Sequence, residues 1–336
     1  MSRAYAIIGW NAFSSVAGGQ CTRRQAMADR NTANQQGAAR FSAARPLRRR
    51  LGVRVTRLNQ VPAGTMVDLP GRGRTYLVDI PGPDGAPTLI LLHGMVTTAM
   101  LNWFPALEEL SGRYRVVLFD QRWHGHGIRS PRFDLDDLAE DVIAVADLVG
   151  VERPILAGYS MGGIVAQLVA HRFPGRVGGI VLCATTYRFR ETWRERAFHG
   201  GMGAFGRLTS GAASRRVTTI GERLPGLPQI SWETGRLDRW ARSEMRSVSG
   251  WGMARAIAEL GAFDSSSWLG TLKVPAAVVV TTRDRALPVH RQLEMAKLIP
   301  GAELFLARAG HAACVLETDA FVPALLDACA AVAARL

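Results

Sequence analysis

The sequence predicts a doubly wound α/β fold: a mostly parallel sheet flanked by helices and broken by one inserted segment. Three observations predict it. Short apolar, β-branched runs recur from about Met66 onward, stretches with helical spacing lie between them, and from about Thr185 to Leu272 the alternation stops. A chain of 336 residues is long enough for one large sheet domain carrying such an insertion.

The first 57 residues stand apart. They hold 11 Arg against one acid, Asp29, a net of +10, whereas the remaining 30 basic and 27 acidic groups leave +3. Their mixture of Ala, Gly, Ser, Gln, Asn and Arg has no sustained period, which is the composition of a disordered basic tail. The weakly apolar stretch from Ala4 to Ala17 is interrupted by Asn11, no small-residue cleavage site follows it, and Arg23-Arg24 lacks the apolar run of a twin-arginine signal. A cytoplasmic protein is expected, with attachment of the tail to anionic membrane as the competing expectation. No apolar run approaches the roughly 18 residues of a spanning helix. Outside the tail there is no arginine ladder or aromatic–basic interleaving, so a nucleic-acid partner is not expected. Cys21, Cys183, Cys314 and Cys329 form no CxxC pair and have no metal-ligand spacing with histidine. They read as isolated thiols, and neither metal nor cofactor is expected.

Thr75 to Ile80 alternates like a half-buried strand. The turn-rich Pro81 to Pro87 then leads into Thr88 to Leu92, a continuous apolar run typical of a central strand. Val116 to Phe119, Ile155 to Ala157, Ile180 to Cys183 and Ala276 to Val280 read the same way. A helix is predicted after Asp134 as N-cap, with Leu135, Leu138, Val142, Val145 and Val149 on one face and Gly150 at its end. Further helices are predicted over Ile164 to Ala170, Val289 to Ile299 and Asp319 to Leu336. The layout is therefore a tail over residues 1–57, a core over 58–184 and 273–336, and a cap or lid over 185–272. No oligomeric state can be assigned.

The chemistry centres on Gly158-Tyr159-Ser160-Met161-Gly162-Gly163, between an apolar strand and a helix. G-x-S-x-G in that context is a nucleophile elbow. Ser160 must sit on a strained turn that exposes its hydroxyl, and side chains at Gly158 and Gly162 would strike neighbouring backbone. The helix that follows points its first N–H groups at a developing oxyanion.

These residues resemble the α/β-hydrolase family over roughly 66–336, and the resemblance implies an eight-stranded sheet. His93-Gly94-Met95, directly after a strand, resembles the family's His-Gly turn. The backbone N–H of Met95 would then join that of Met161 in an oxyanion hole, with His93 bracing the turn. Asp120-Gln121-Arg122-Trp123-His124-Gly125-His126-Gly127 resembles the D-x-R-G-H-G-x-S segment, except that Trp123 replaces a glycine and Ser130 is displaced. His124 and His126 are tempting as a metal pair, but two histidines on a glycine-rich loop more often hold that loop by hydrogen bonds.

The family orders its triad Ser, Asp, His. Asp284 lies just past a buried strand and is the expected orienting acid. His311, in Ala309-Gly310-His311, resembles the last-strand Gly-His and is the expected base. A serine hydroxyl needs such an imidazole, and the imidazole needs a buried carboxylate to fix its tautomer. Asp264 and His290 are rivals without strand-end placement, and Glu317 falls where the family often has a bracing glutamate.

The resemblance implies a serine hydrolase acting on a carboxylic ester or related acyl substrate through an acyl-enzyme. Meta-cleavage carbon–carbon hydrolases, perhydrolases, thioesterases and non-catalytic binding modules of the same fold remain alternatives. Ser160 argues against epoxide hydrolases and haloalkane dehalogenases, which carry aspartate there. Trp193, Trp232, Trp240, Trp251 and Trp268, with Phe189, Phe198, Phe205, Leu224 and Leu227, would either roof the site for an acyl or alkyl ester with an apolar acyl group or pack small cap helices against the sheet.

Overall fold

A computed structural model of the chain describes residues 63–130, 133–190, 193, 195–201, 204 and 250–336. The expected tail and residues 205–249 of the expected cap lie outside the described residues, as do the side chains of residues 250–252.

Eight strands form one sheet. They are β1 (Thr65–Leu69), β2 (Gly73–Ile80), β3 (Thr88–Leu92), β4 (Arg115–Phe119), β5 (Ile155–Tyr159), β6 (Gly179–Cys183), β7 (Ala276–Thr281) and β8 (Glu303–Ala307). Their order is β1-β2-β4-β3-β5-β6-β7-β8. β2 runs antiparallel to both β1 and β4, and every other neighbouring pair is parallel.

The continuous apolar runs follow from burial on both faces. Successive side chains of a strand point to opposite faces. Ile90, Leu92, Val117, Phe119 and Leu156 accordingly join one core, while Leu89, Leu91, Val116, Leu118, Ile155 and Ala157 join the other. The first core includes residues of α3 (Leu135–Leu148) and α4 (Met161–Arg172). The second includes residues of two short helices, α1 (Ala99–Trp103) and α2 (Leu107–Ser111). The remaining helices are α5 (Gly250–Ala262), α6 (Val289–Leu298), α7 (Ala313–Leu316) and α8 (Thr318–Ala333). α5 and a helical stretch over residues 195–201 fall within the expected cap.

Local chemistry sets the boundaries. Asp134 is extended at the N-cap of α3 and its carboxylate accepts from Asp136 N–H at 2.9 Å. Gly150 closes that helix at φ 68°, in the left-handed region that glycine enters freely. α6 stops one residue short of Ile299, which is extended (φ −84°, ψ 119°) because the following Pro300 disfavours helical backbone before it. α8 begins one residue earlier than its periodicity suggests and ends at Ala333. Among the described residues no helix is long and apolar enough to cross a membrane.

Candidate active site

Parallel strands deliver their following loops to one edge of a sheet, and in open α/β sheets that edge is where sites assemble. The turns after β3, β5, β7 and β8 carry the expected site residues. Ser160 follows β5 with φ 51° and ψ −113°, outside the comfortable range of an L-residue. The surroundings hold it there: its N–H donates to the Cys183 carbonyl at 2.9 Å and its carbonyl accepts from Thr185 Oγ1 at 2.7 Å. The flanking glycines are sterically required. A Cβ at Gly158 would strike the Gly162 carbonyl, and one at Gly162 would strike the Leu92 carbonyl.

Ser160 Oγ lies 3.0 Å from His311 Nε2, and His311 Nδ1 lies 2.8 Å from Asp284 Oδ2. The structure thus brings together three residues spread over 151 positions of the chain. Asp284 is buried and thoroughly bonded. Its Oδ1 accepts from the backbone N–H groups of Ala286 and Leu287, and its Oδ2 also accepts from Thr281 Oγ1 at 2.8 Å and Gln292 Nε2 at 3.3 Å. Burial alone would raise the Asp284 pKa. The hydrogen bond and charge of His311, with the Leu287 N–H and the Thr281 hydroxyl, outweigh it and hold the carboxyl below its usual value. A charged Asp284 fixes the proton of His311 on Nδ1 and leaves the Nε2 lone pair facing Ser160.

Two braces are not legible in the sequence. Gln292 on α6 also donates to the Leu287 carbonyl at 2.9 Å and accepts from the Thr281 N–H at 3.1 Å, which ties β7, the Asp284 loop and α6 together. Tyr159, inside the elbow, donates its hydroxyl to the His311 carbonyl at 2.6 Å. The tyrosine was in plain view in the motif, but its partner lies 152 positions away. Glu317 accepts from the Gly310 N–H and from Arg283 Nη2, so it braces the turn that carries His311.

Met161 is the first residue of α4, where backbone N–H groups have no intrahelical partner. Met95 lies in the turn after β3, beside Gly94, and a Cβ on Gly94 would stand 3.4 Å from Ser160 Cβ. His93 is fully buried, with Nδ1 2.8 Å from the Gly94 carbonyl and Nε2 accepting from Gln121 N–H at 2.9 Å. Burial, with His124 adding to it, lowers its pKa to about 3 against the pull of the Gly94 carbonyl. Gln121 also donates to the His93 carbonyl at 2.7 Å, and Asp120 accepts from the N–H groups of Ala99 and His126. The Asp120–Gly127 segment therefore clamps the His93 turn. Arg122 anchors the segment to α3 through a buried ion pair with Asp141, Nη2 to Oδ1 3.0 Å.

His124 holds the Arg122 carbonyl through Nδ1 at 2.8 Å, its ring edge-on to His93. Among the described residues no three His, Cys, Asp or Glu converge as a metal site would require. Asp264 is exposed, with its carboxylate accepting from Ser266 N–H, and His290 sits in the first turn of α6. Of the aromatics expected to roof the site, Trp193 is 68% and Phe198 47% exposed. Phe189 and Trp268 pack partly buried against the core. Phe205, Leu224, Leu227, Trp232 and Trp240 lie outside the described residues, as does the side chain of Trp251.

A sequence-family model described as alpha/beta hydrolase fold matches residues 87–318. The chain belongs to the α/β-hydrolase fold family. A protein of Agrobacterium fabrum named as the carbamate hydrolase RutD is 28% identical over 249 residues, covering 72% of this chain and 92% of its own. A pimeloyl-[acyl-carrier protein] methyl ester esterase of Chromobacterium violaceum is 30% identical over 72% of this chain and 93% of its own. Among solved structures, the enol-lactonase of Burkholderia xenovorans superposes with a TM-score of 0.61 at 24% identity, covering 79% of this chain and all of the other. At that identity the superposition shows the fold alone. These two curated relatives are hydrolases by name, and α/β-hydrolase enzyme is the level at which the kinship holds.

Proposed function

We propose that this α/β hydrolase is a serine hydrolase that cleaves a carboxylic ester through a Ser160-His311-Asp284 triad and an acyl-enzyme. The observation that carries the proposal is the unbroken chain of contacts from Ser160 Oγ through both ring nitrogens of His311 to Asp284 Oδ2. In this reading His311 Nε2 takes the Ser160 proton as Oγ attacks the acyl carbon, and the carbonyl electrons move onto an oxyanion. The N–H groups of Met95 and Met161 receive that oxyanion, and Asp284 stabilises the imidazolium. His311 returns the proton to the leaving alcohol. Water, deprotonated by the same imidazole, then releases the acid from the acyl-enzyme. The ester preference draws on the relative named as a methyl ester esterase and on a 3-oxoadipate enol-lactonase of Acinetobacter baylyi, 21% identical over 75% of this chain. One name specifies a methyl ester and the other a lactone, which is a cyclic ester. The segment 185–272 is proposed as the cap that supplies an apolar acyl pocket.

Labelling with a fluorophosphonate, followed by peptide mass analysis, tests the triad. The adduct is expected on Ser160, absent in Ser160→Ala, and slowed in His311→Ala by up to about six orders of magnitude, the loss in turnover that removing a triad base causes elsewhere. A folded wild-type protein that takes up no label, or takes it up elsewhere, would overturn the proposal.

A further inference from the structure

The turn after β3 contains a peptide unit whose carbonyl is held by two donors. The Gly94 carbonyl accepts from His93 Nδ1 at 2.8 Å and from Thr97 Oγ1 at 2.9 Å. Both of its lone pairs are thereby occupied. Among the described residues there is no cis peptide bond. In a trans unit the carbonyl and the next residue's N–H share a plane and point in opposite directions. Fixing the Gly94 carbonyl therefore fixes the direction of the Met95 N–H.

The preceding amide is committed as well. Gly94 N–H donates to Asn102 Oδ1 at 3.0 Å, and the same oxygen lies 3.3 Å from Thr97 Oγ1. Thr97 and Asn102 thus grip one side of Gly94 while Ser160 stands on another, since a Cβ on Gly94 would meet Ser160 Cβ at 3.4 Å and Asn102 Oδ1 at 3.5 Å. Two costs accompany this grip. Asn102 is 1% exposed and its Nδ2 is buried without a hydrogen-bond partner. Rotating the amide would set Nδ2 against the Gly94 N–H, donor against donor, so the bond to Gly94 dictates the orientation that leaves Nδ2 unsatisfied. Val96 has φ 67°, a region hostile to β-branched residues. Unsatisfied donors and left-handed valines persist where the surroundings over-determine the backbone, and such places cluster at functional sites.

We infer that Thr97 and Asn102 are positioning residues that aim the Met95 N–H at the oxyanion, a role that rests on the proposed triad and its oxyanion hole. They touch neither substrate nor Ser160 Oγ and act through the Gly94–Met95 peptide.

The test uses the full-length protein, with p-nitrophenyl butyrate as substrate and an alkyl trifluoromethyl ketone as a reversible inhibitor whose adduct on Ser160 carries an oxyanion. Thr97→Val removes one bond to the Gly94 carbonyl at nearly constant shape, and Thr97→Ser keeps the hydroxyl. Deleting a whole oxyanion donor costs roughly a hundredfold to a thousandfold in kcat, so a misaimed donor is expected to cost about tenfold. Thr97→Val should lower kcat by that factor with KM little changed. The ketone should weaken in parallel, and Thr97→Ser should restore both. Asn102→Leu should act in the same direction and more strongly. If Asn102→Leu fails to fold, the two threonine variants decide. Wild-type kcat in Thr97→Val, or a fall in kcat with unchanged ketone affinity, overturns the positioning role while Ser160 labelling stands. No Ser160 adduct in wild-type protein overturns the triad and the positioning role together.

Discussion

Val96, Trp123, Ser160 and Ala184 have φ values of 67°, 67°, 51° and 46°, all in the left-handed region although none is glycine. Three of them touch the site's framework directly: Val96 follows Met95, Ser160 is the proposed nucleophile, and Ala184 precedes the threonine that holds the Ser160 carbonyl. Trp123 is the instructive fourth. It stands where the loop motif that this segment resembles has glycine, and its backbone has the positive φ that glycine enters freely. Burial offsets the strain, since the indole is 2% exposed and the Arg129 guanidinium lies over it at 5.7 Å. Removing the indole opens a cavity that costs about 3 kcal/mol or more. Alanine retains the left-handed penalty of about 1–2 kcal/mol that glycine escapes. Trp123→Gly should therefore be more stable than Trp123→Ala by about 1 kcal/mol, the reverse of the usual order within structured elements. Urea midpoints of the two variants measure this. The ordinary order would mean that the loop leaves the left-handed region once the indole is gone.

At the scale of elements, α6 does more than cover β7. Its Gln292 reaches Thr281 at the end of β7, the Leu287 carbonyl and Asp284 Oδ2. Gln292→Glu would keep the shape but replace a donor to Asp284 with a second carboxylate, and like charges at that distance raise a carboxyl pKa. In the proposed mechanism kcat/KM should fall by about tenfold, the order of one charge-assisted hydrogen bond. The acid limb of the pH profile should move upward, which a purely structural brace would not do. An unshifted limb would place Gln292 outside the catalytic electrostatics. The elements themselves were unevenly legible. β3 was predicted to the residue, because a strand buried on both faces is a continuous apolar run between turn signals. β1, by contrast, is an edge strand in which only Leu69 is buried, and α1 and α2 have five residues each, too few to display a helical period. Ser160, Asp284 and His311 were named from motif and chain order. Gln292, Thr97 and Asn102 were not, because their significance lies in hydrogen bonds to backbone that no local pattern announces.

For the molecule as a whole, the sheet order places the turn after β3 between the turn after β5 on one side and the Asp120–Gly127 segment, which follows β4, on the other. Alternating strands and helices foretold that kind of fold. They could not foretell that two buried histidines would meet between the loops that follow β3 and β4. His93 and His124 are at most 1% exposed. Burial chiefly lowers their pKa values to about 3 and about 4, with the Arg129 charge adding to the shift at His124 against the pull of the Arg122 carbonyl. In the unfolded chain both would titrate near 6.5. Below that pH the unfolded state binds two protons that the folded state refuses, so stability must fall as pH falls. The slope should approach about 3 kcal/mol per pH unit between roughly pH 6 and pH 4, from two protons at 1.36 kcal/mol each. Asp284 has the same sign in a lower window. Its depressed pKa contributes stability above the unfolded carboxylate value near 3.9, and that stability is lost as pH falls through the folded value. Together the two histidine shifts, from 6.5 to about 3 and to about 4, can remove at most about 8 kcal/mol by pH 3, a loss comparable with the about 5–15 kcal/mol that a domain has in hand. Unfolding free energies from urea titrations at pH 7.5, 6.0 and 5.0 would show the decline. A flat profile over that range would mean that His93 and His124 are protonated in the native state, and that the clamp on the Gly94 turn is built differently.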